Sequence, residues 1–181
     1  MMAASFTHSA GTPGWSRCRV GLMLVMALAL LVGGCGFKLR GSQDFAFTRI
    51  AITPNPGGDV AQELRRSLGG AVQVLGADVP LKQAQVVLQV LDEQREKVVV
   101  GVNASGQVVE LELRLRVQFR LTTPQGKELM AQDSILQQRD ISYNESAALA
   151  KETEEAALYR DMQTDIVQQL LRRLAALKPI Q

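Results

Sequence analysis

The stretch VELELRLRVQFRL, from Val109 to Leu121, alternates apolar and polar residues without an error. Its odd positions are Val, Leu, Leu, Leu, Val, Phe and Leu, and its even positions are Glu, Glu, Arg, Arg, Gln and Arg. A period of two places alternate side chains on opposite faces of a β-strand. The stretch therefore predicts a long strand that buries one face in a core and presents the other to water or to a partner.

Strand patterns also lie on both sides of this stretch. Val86 to Val102 is rich in β-branched residues, and its polar middle, Asp92 to Lys97, predicts a bulge or an edge position. Asn103 to Gly106 fits a hairpin connection. After the alternating stretch, Thr123 to Gly126 predicts a turn, and Lys127 to about Arg139 predicts a returning strand.

Two helices and a first strand complete the pattern. Thr48 to Thr53 alternates and predicts the first strand, and Asp59 can cap a helix whose apolar stripe follows at four-residue spacing. That stripe consists of Val60, Leu64 and Leu68. From about Glu145 to Leu177 a second helix is predicted by apolar residues at helical spacing. They are Ala148, Tyr159, Met162, Ile166, Leu170, Leu174 and Leu177.

The order β-α-β-β-β-α predicts an α+β fold. One sheet whose apolar face is covered by both helices satisfies both periodicities, so we expect a two-layer α/β sandwich. Two helices would pack on one face of a mixed four-stranded sheet. The opposite face would then be polar and uncovered.

The N-terminal segment is typical of a processed lipoprotein. Arg17 and Arg19 precede an apolar run, Val20 to Val32, that is too short to span a bilayer and fits a secretory signal peptide. Val32-Gly33-Gly34-Cys35 resembles a bacterial lipobox. The alternative is an ordinary signal peptide with a free Cys35. We expect residues 1–34 to be removed, residues 35–47 to form a tether with lipid on Cys35, and residues 48–178 to form one domain.

Removal of residues 1–34 would exclude several classes of function. The chain would lose two of its 20 basic residues and none of its 18 acidic ones, so the formal charge of +2 disappears and nothing favours nucleic acid as a partner. His8 and Cys18 would be removed too. Without histidine or a free thiol, Ser-His-Asp and Cys-His catalysis and the usual zinc sites are excluded. We predict no enzyme activity, no metal and no cofactor.

Three motifs carry a resemblance to a known family. The first is Gly34 to Arg40, GCGFKLR, the second is Ala148 to Lys151, ALAK, and the third is Gln169 to Leu174, QLLRRL. With these motifs the chain resembles the LptE family of LPS-assembly lipoproteins. The resemblance implies a lipid-anchored protein on the periplasmic side of the outer membrane. Gly36 after the cysteine permits sorting to that membrane.

The resemblance also implies partners. A family member forms a one-to-one complex with the LptD β-barrel, plugs its lumen and assists its assembly. It helps to insert lipopolysaccharide into the outer leaflet and is expected to bind lipopolysaccharide. A polar sheet face would suit a barrel lumen, which is itself polar. The competing hypothesis is a periplasm-facing lipoprotein that carries a lipid or serves an envelope ABC transporter, which would need an apolar groove instead.

Candidate lipopolysaccharide contacts follow from the resemblance. Lys151 occupies the position of a proposed contact in the family; the alternative is a solvated lysine paired with Glu155. The hairpin Asn103 to Gln107 lacks the basic residue that the family can carry there. The further candidates are basic residues of the alternating strand and its turn, for which the alternative is a charged sheet face with Glu110 and Glu112 as cross-strand partners. They are Arg114, Arg116, Arg120 and Lys127.

Overall fold

A computed structural model describes residues 44–178, and its centre is a mixed sheet of five strands. The strands are β1 (Arg49–Thr53), β2 (Gln73–Val74), β3 (Val86–Val102), β4 (Val108–Thr122) and β5 (Glu128–Ser142). Their order across the sheet is β2-β1-β3-β4-β5. Strand β1 is parallel to both of its neighbours, whereas β3, β4 and β5 form an antiparallel meander.

Two helices cover one face of this sheet. Helix α1 spans Asp59–Leu68 and helix α2 spans Ala148–Ala175, preceded by a short 3-10 turn at Glu145–Ala147. The predicted α+β sandwich is therefore confirmed. The sheet has five strands rather than four, because Gln73 and Val74 pair with Arg49 and Ile50 as a two-residue strand.

The core lies between the helices and the odd face of β4. Leu113, Leu115, Val117 and Leu121 are fully buried there. The predicted apolar stripe of α1 is buried as well, and α2 contributes a longer set. That set comprises Tyr159, Met162, Ile166, Val167, Leu170, Leu171 and Leu174.

Two apolar residues of the predicted core, Val109 and Ala148, lie outside it. Val109 is 40% exposed, because the β3–β4 register shifts between Gly101 and Val102 and carries Val109 away from the core. Ala148 is exposed at the start of α2, where the helix extends beyond the apolar core. At the other end of the domain, Phe47 is buried and Phe45 packs against the core.

The predicted irregularity in β3 is a bulge at Leu91. Val90 lies opposite Phe119, but Asp92 lies opposite Gln118, so the alternation of β3 slips by one residue. As a result Glu93, Arg95 and Lys97 lie on the helix side of the sheet. The edge expectation is confirmed too, since β1 pairs with β3 only as far as Gln89 and leaves the rest of that edge without a partner strand in the described part of the chain.

The carboxylate of Glu93 lies at the N-terminus of α1. It accepts a hydrogen bond from the backbone N–H of Val60 at 3.3 Å, which is one of the amides that a helix leaves unpaired. The preceding N-cap residue is Gly58, and a Cβ there would collide with this carboxylate. Burial is the largest influence on Glu93 and raises the pKa of its carboxyl group.

The face opposite the helices is called the outer face below, and it is not entirely uncovered. The segment from Leu75 to Ala84 crosses it beside β1, where Leu75 and Ala84 pack with Ala51 and Val87 in a small second core. The prediction of a wholly uncovered face was wrong there, because Ala51 and Val87 supply apolar contacts on that side. The rest of the outer face, on β4 and β5, carries polar residues.

The long strands give the molecule two distinct ends. The turn Thr123–Lys127 between β4 and β5 defines the turn end, and the connection Asn103–Gln107 between β3 and β4 defines the hairpin end. The described chain begins at the turn end, because Ile50 of β1 lies beside Val86, the first residue of β3. Within residues 44–178, neither helix is long and apolar enough to span a membrane.

Candidate functional site

The outer face of β4 and its neighbours forms a broad polar surface. The even residues of β4 project there between residues of β3 and β5. Arg116, for example, lies between Gln94 of β3 and Leu136 of β5, and Gln118 lies opposite Ser134. Leu136 is 41% exposed and is an apolar exception on this surface.

Charge is distributed unequally along this surface. Glu110, Glu112 and the Asp140 opposite Glu112 lie toward the hairpin end. Arg116 and Arg120 lie toward the turn end. The even residues of β4 are therefore acidic toward the hairpin end and basic toward the turn end, where the described chain begins. The neighbouring strands add two carboxylates at the basic end, Asp92 opposite Gln118 and Glu128 opposite Thr122.

Arg114 is already neutralised by neighbouring carboxylates. Its Nε donates to Glu112 Oε1 at 2.6 Å, and its Nη1 lies 4.0 Å from Glu96 Oε2. Glu112 thus pairs with Arg114 along the same strand, and the prediction of Glu112 as a cross-strand partner was wrong. The cross-strand partner is Glu96, however, and not Glu110. Arg114 consequently retains little capacity to bind an additional anion.

Arg116 and Arg120 are the outer-face arginines without an ion pair in the described part of the chain. Arg120 Nε donates to Gln89 Oε1 at 2.6 Å, which orients the guanidinium without neutralising it. Arg116 Nε is buried and has no hydrogen-bond partner within residues 44–178. A guanidinium with unused donors is suited to carboxylate or phosphate oxygens. These two residues are the stronger anion-binding candidates of the strand.

Lys151 lies at the hairpin end, near the start of α2. Its Nζ donates to Ser142 Oγ at 2.9 Å and to Glu154 Oε2 at 2.8 Å. The expected pair with Glu155 was wrong, because Glu155 pairs instead with Lys97 of β3 at 2.5 Å. Lys151 is thus partly neutralised and only 20% of its side chain is exposed.

The predicted basic residues do not form one cluster. Lys151 contacts Ser142, which lies opposite Glu110 at the start of β4, whereas the exposed Lys127 follows the end of that strand. At about 3.3 Å per residue, these two lysines are separated by roughly 40 Å. Arg116 and Arg120 lie between them, nearer Lys127. Cys35 lies outside the described residues.

Sequence patterns missed the charged residues on the helix side of β3. Arg95 pairs with Asp59 at the start of α1 at 2.6 Å, and its guanidinium lies 5.3 Å from the centre of the Tyr159 ring. The hydrogen bond from Lys97 to Glu155 raises the pKa of that lysine. The polar middle of β3 could have indicated these residues. The side of the sheet on which they lie, however, follows only once the bulge is placed at Leu91.

Comparison with known proteins identifies the family. The family model described as LptE, lipopolysaccharide-assembly, matches residues 47–174. The chain belongs to the LptE family. The match covers the strands and helices that form the outer face and the core.

Individual relatives of this LptE-family chain agree. It is 31% identical over 161 residues to the LPS-assembly lipoprotein LptE of Photorhabdus laumondii, covering 84% of each chain. It is 29% identical over 157 residues to the protein of the same name from Yersinia enterocolitica, covering 84% of this chain and 74% of that one. Among solved structures, an uncharacterized lipoprotein B of Nitrosomonas europaea is 34% identical with a TM-score of 0.67, covering 78% of this chain and 91% of that one.

Proposed function

We propose that this chain is a lipopolysaccharide-assembly lipoprotein that forms a one-to-one complex with an LptD-type β-barrel and plugs its lumen. It assists assembly of the barrel and helps to insert lipopolysaccharide into the outer leaflet. Cys35 carries the lipid that holds the chain on the periplasmic side of the outer membrane. Membership of the LptE family supports the lipopolysaccharide-assembly role. The barrel partner and the outer-membrane location are the further parts of this proposal.

The observation that carries this proposal is the polar outer face. A barrel lumen is lined by polar side chains, so a plug needs a broad surface that forms hydrogen bonds and ion pairs with it. The uncovered part of the sheet offers such a surface over most of the length of β4 and β5. A lipid carrier would instead need a deep apolar groove, and the outer face does not have that character.

The unequal charge of this face favours its basic part as the site for lipopolysaccharide. Phosphate groups on that lipid are anionic, and Arg116 and Arg120 have no ion-pair partner among residues 44–178. Lys127 extends the basic region toward the turn end, where the described chain begins after the proposed anchor. Arg114 and Lys151 are weaker candidates, since both are paired with glutamates.

Copurification tests the complex. Protein extracted from outer membranes with detergent should bring down one large β-barrel protein in equal amount. The variant Arg116→Glu/Arg120→Glu should recover less barrel or lipopolysaccharide while keeping its far-UV circular dichroism, because neither side chain faces the core. Arg66→Glu, on the exposed side of α1, is the matched control.

Two results would contradict the proposal. The first is recovery as a free monomer or together with inner-membrane transporter subunits, which would favour the auxiliary-subunit hypothesis. The second is an unmodified Cys35 in mass spectra of the mature N-terminus, which would remove the anchor. Equal recovery by the outer-face variant and the Arg66→Glu control would exclude the basic part of the face as the contact.

A further inference from the structure

The free edge of β3 near the hairpin end is apolar and exposed. Beyond Gln89 the edge has no partner strand within residues 44–178, and its last five residues, Val98 to Val102, read VVVGV. Val99, Val100 and Val102 are each about half exposed or more. Natural edge strands are normally protected by lysine, proline or a covering segment. The stretch VVVGV contains no lysine or proline, and no segment among residues 44–178 pairs with its free edge.

The backbone of this edge faces helix α2. The hydroxyl of Tyr159 donates to the carbonyl oxygen of Glu96 at 2.7 Å. In a strand, the N–H and C=O groups of one residue point the same way, and every second residue repeats that direction. The amide groups of Glu96, Gln94 and Val98 are therefore directed away from β4 and toward the space beside α2.

A cleft already separates that edge from the helix. Its volume is about 410 Å³, and its lining includes Lys97 of β3 with Glu152, Ala156 and Tyr159 of α2. We call this cleft the edge groove. Residues three or four apart share a helix face, so Leu149 continues the helix wall toward the hairpin end and is 79% exposed. Val99 continues the strand wall, since it lies on the same face as Lys97.

Charge in the edge groove is balanced except at one residue. Lys97 is paired with Glu155, and Arg95 is paired with Asp59. The side chain of Glu152 has no hydrogen bond or ion pair with any residue from 44 to 178. Glu152 is exposed, and an occupant that brings a basic side chain to it gains an ion pair that the groove itself does not supply. A second copy of this chain fits less well, because the two cations on its own β3 edge are already paired.

We propose that the edge groove binds an extended segment of a partner protein as an added strand on β3. The segment pairs with the N–H of Glu96 and with both backbone groups of Val98, while the Glu96 carbonyl keeps its hydrogen bond from Tyr159. It places apolar side chains against Val99 and Leu149, and a lysine or arginine at Glu152. Strand addition between an edge strand and a helix is an established mode of peptide recognition, in which main-chain hydrogen bonds give affinity and side-chain pockets give specificity. This surface is separate from the outer face.

Amide hydrogen exchange with a defined probe tests the proposal. The probe is the peptide acetyl-Thr-Val-Thr-Lys-Thr-Val-Thr-amide, whose valines and lysine project from the same face of a strand, added to the full chain in detergent. At about ten times its measured Kd, exchange of the Glu96 and Val98 amides should slow about tenfold. The amides of β5, the other edge of the sheet, should not change. No slowing on β3, or equal slowing on both edges, would overturn the proposal.

Variants distinguish the groove from general adhesion. Leu149→Asp should weaken binding of the probe at least tenfold, whereas Leu136→Asp, at an exposed leucine of the outer face, should leave it unchanged. Glu152→Lys should weaken binding and recover it with a probe whose lysine is replaced by glutamate. Failure of that recovery would contradict the assigned pair. Slowing that appears without peptide and grows with protein concentration would identify a second copy as the occupant and overturn the proposal.

Discussion

At the scale of single residues, the two faces of β4 should respond very differently to substitution. Leu115 is fully buried, so Leu115→Ala removes buried surface and leaves a cavity. We expect the free energy of unfolding to fall by about 2–5 kcal/mol, measured by urea denaturation. Leu136→Ala on the outer face should change it by about 0.5 kcal/mol or less. Similar losses for both leucines would mean that the core is assigned to the wrong face.

The Glu93 carboxylate should make stability depend on pH. Its pKa is raised above the ordinary value near 4.5 chiefly by burial, so the charged form costs more in the folded state than in the unfolded state. This cost is absent below the unfolded-state pKa and is fully present above the folded-state pKa. Glu93→Gln should therefore gain stability relative to the native chain as pH rises from about 4 to 7.

Denaturation at several pH values, with Glu128→Gln as the control, measures this effect. Glu128 is exposed at the start of β5 and reports the background dependence on pH. Parallel curves for the two variants would show that the environment of Glu93 does not favour its neutral form.

At the scale of elements, one arginine ties α1 to the end of β1. Arg65 Nη2 donates to the carbonyl oxygens of Ile52 at 2.8 Å and Pro54 at 2.7 Å, and Nη1 donates to that of Pro56. Burial lowers the pKa of this guanidinium. The planar fork satisfies carbonyls that the loop between β1 and α1 leaves without backbone partners.

Arg65→Lys keeps the positive charge but replaces the fork with a single ammonium group. We expect a loss of about 1–3 kcal/mol in the free energy of unfolding, because some of these carbonyls lose their partner. Arg66→Lys, one residue along on the exposed side of α1, is the matched control and should cost about 0.5 kcal/mol or less. Thermal or urea denaturation compares them. An equal effect at both positions would argue against the loop as the target.

Some of the strands and helices could be predicted from the sequence and others could not. The faces of β4 and the stripe of α1 follow from periodicity, because many residues repeat one rule. The two residues of β2 are too few to show a period. The bulge at Leu91 was foreseen as an irregularity, but a one-residue slip decides which side Arg95 and Lys97 occupy, and its position follows only from the pairing with β4.

The candidate site was predictable only in part. The outer-face location of Arg114, Arg116 and Arg120 follows from the alternation in β4. The ion pairs of these arginines do not follow from it, because Arg114 pairs with Glu96 on a different strand. Lys151 likewise has Glu154 and Glu155 within reach along the helix, and Lys97 of β3 competes for Glu155. Such choices depend on tertiary neighbours that a local pattern does not contain.

At the scale of the whole molecule, the topology sets an order of folding. Neighbouring strands of the β3–β4–β5 meander can close from their turns, because their first contacts join residues close in sequence. Every pair between β1 and β3, by contrast, joins residues 36 positions apart. Long-range pairs must close a large loop before any contact stabilises them. Pulsed hydrogen exchange during refolding should therefore protect amides of the meander before those of β1; simultaneous protection would contradict this order.

The parallel pairing of β1 with β3 has a consequence for biogenesis. Chains are synthesised from the N-terminus, so β1 and α1 emerge before the strand that completes their side of the sheet exists. Until β3 follows, β1 lacks one of its two partner strands, and the buried face of α1 lacks most of the core that it packs against. Cys35 precedes all of these elements in the chain, so its proposed cleavage and lipidation do not require this side of the sheet to be complete.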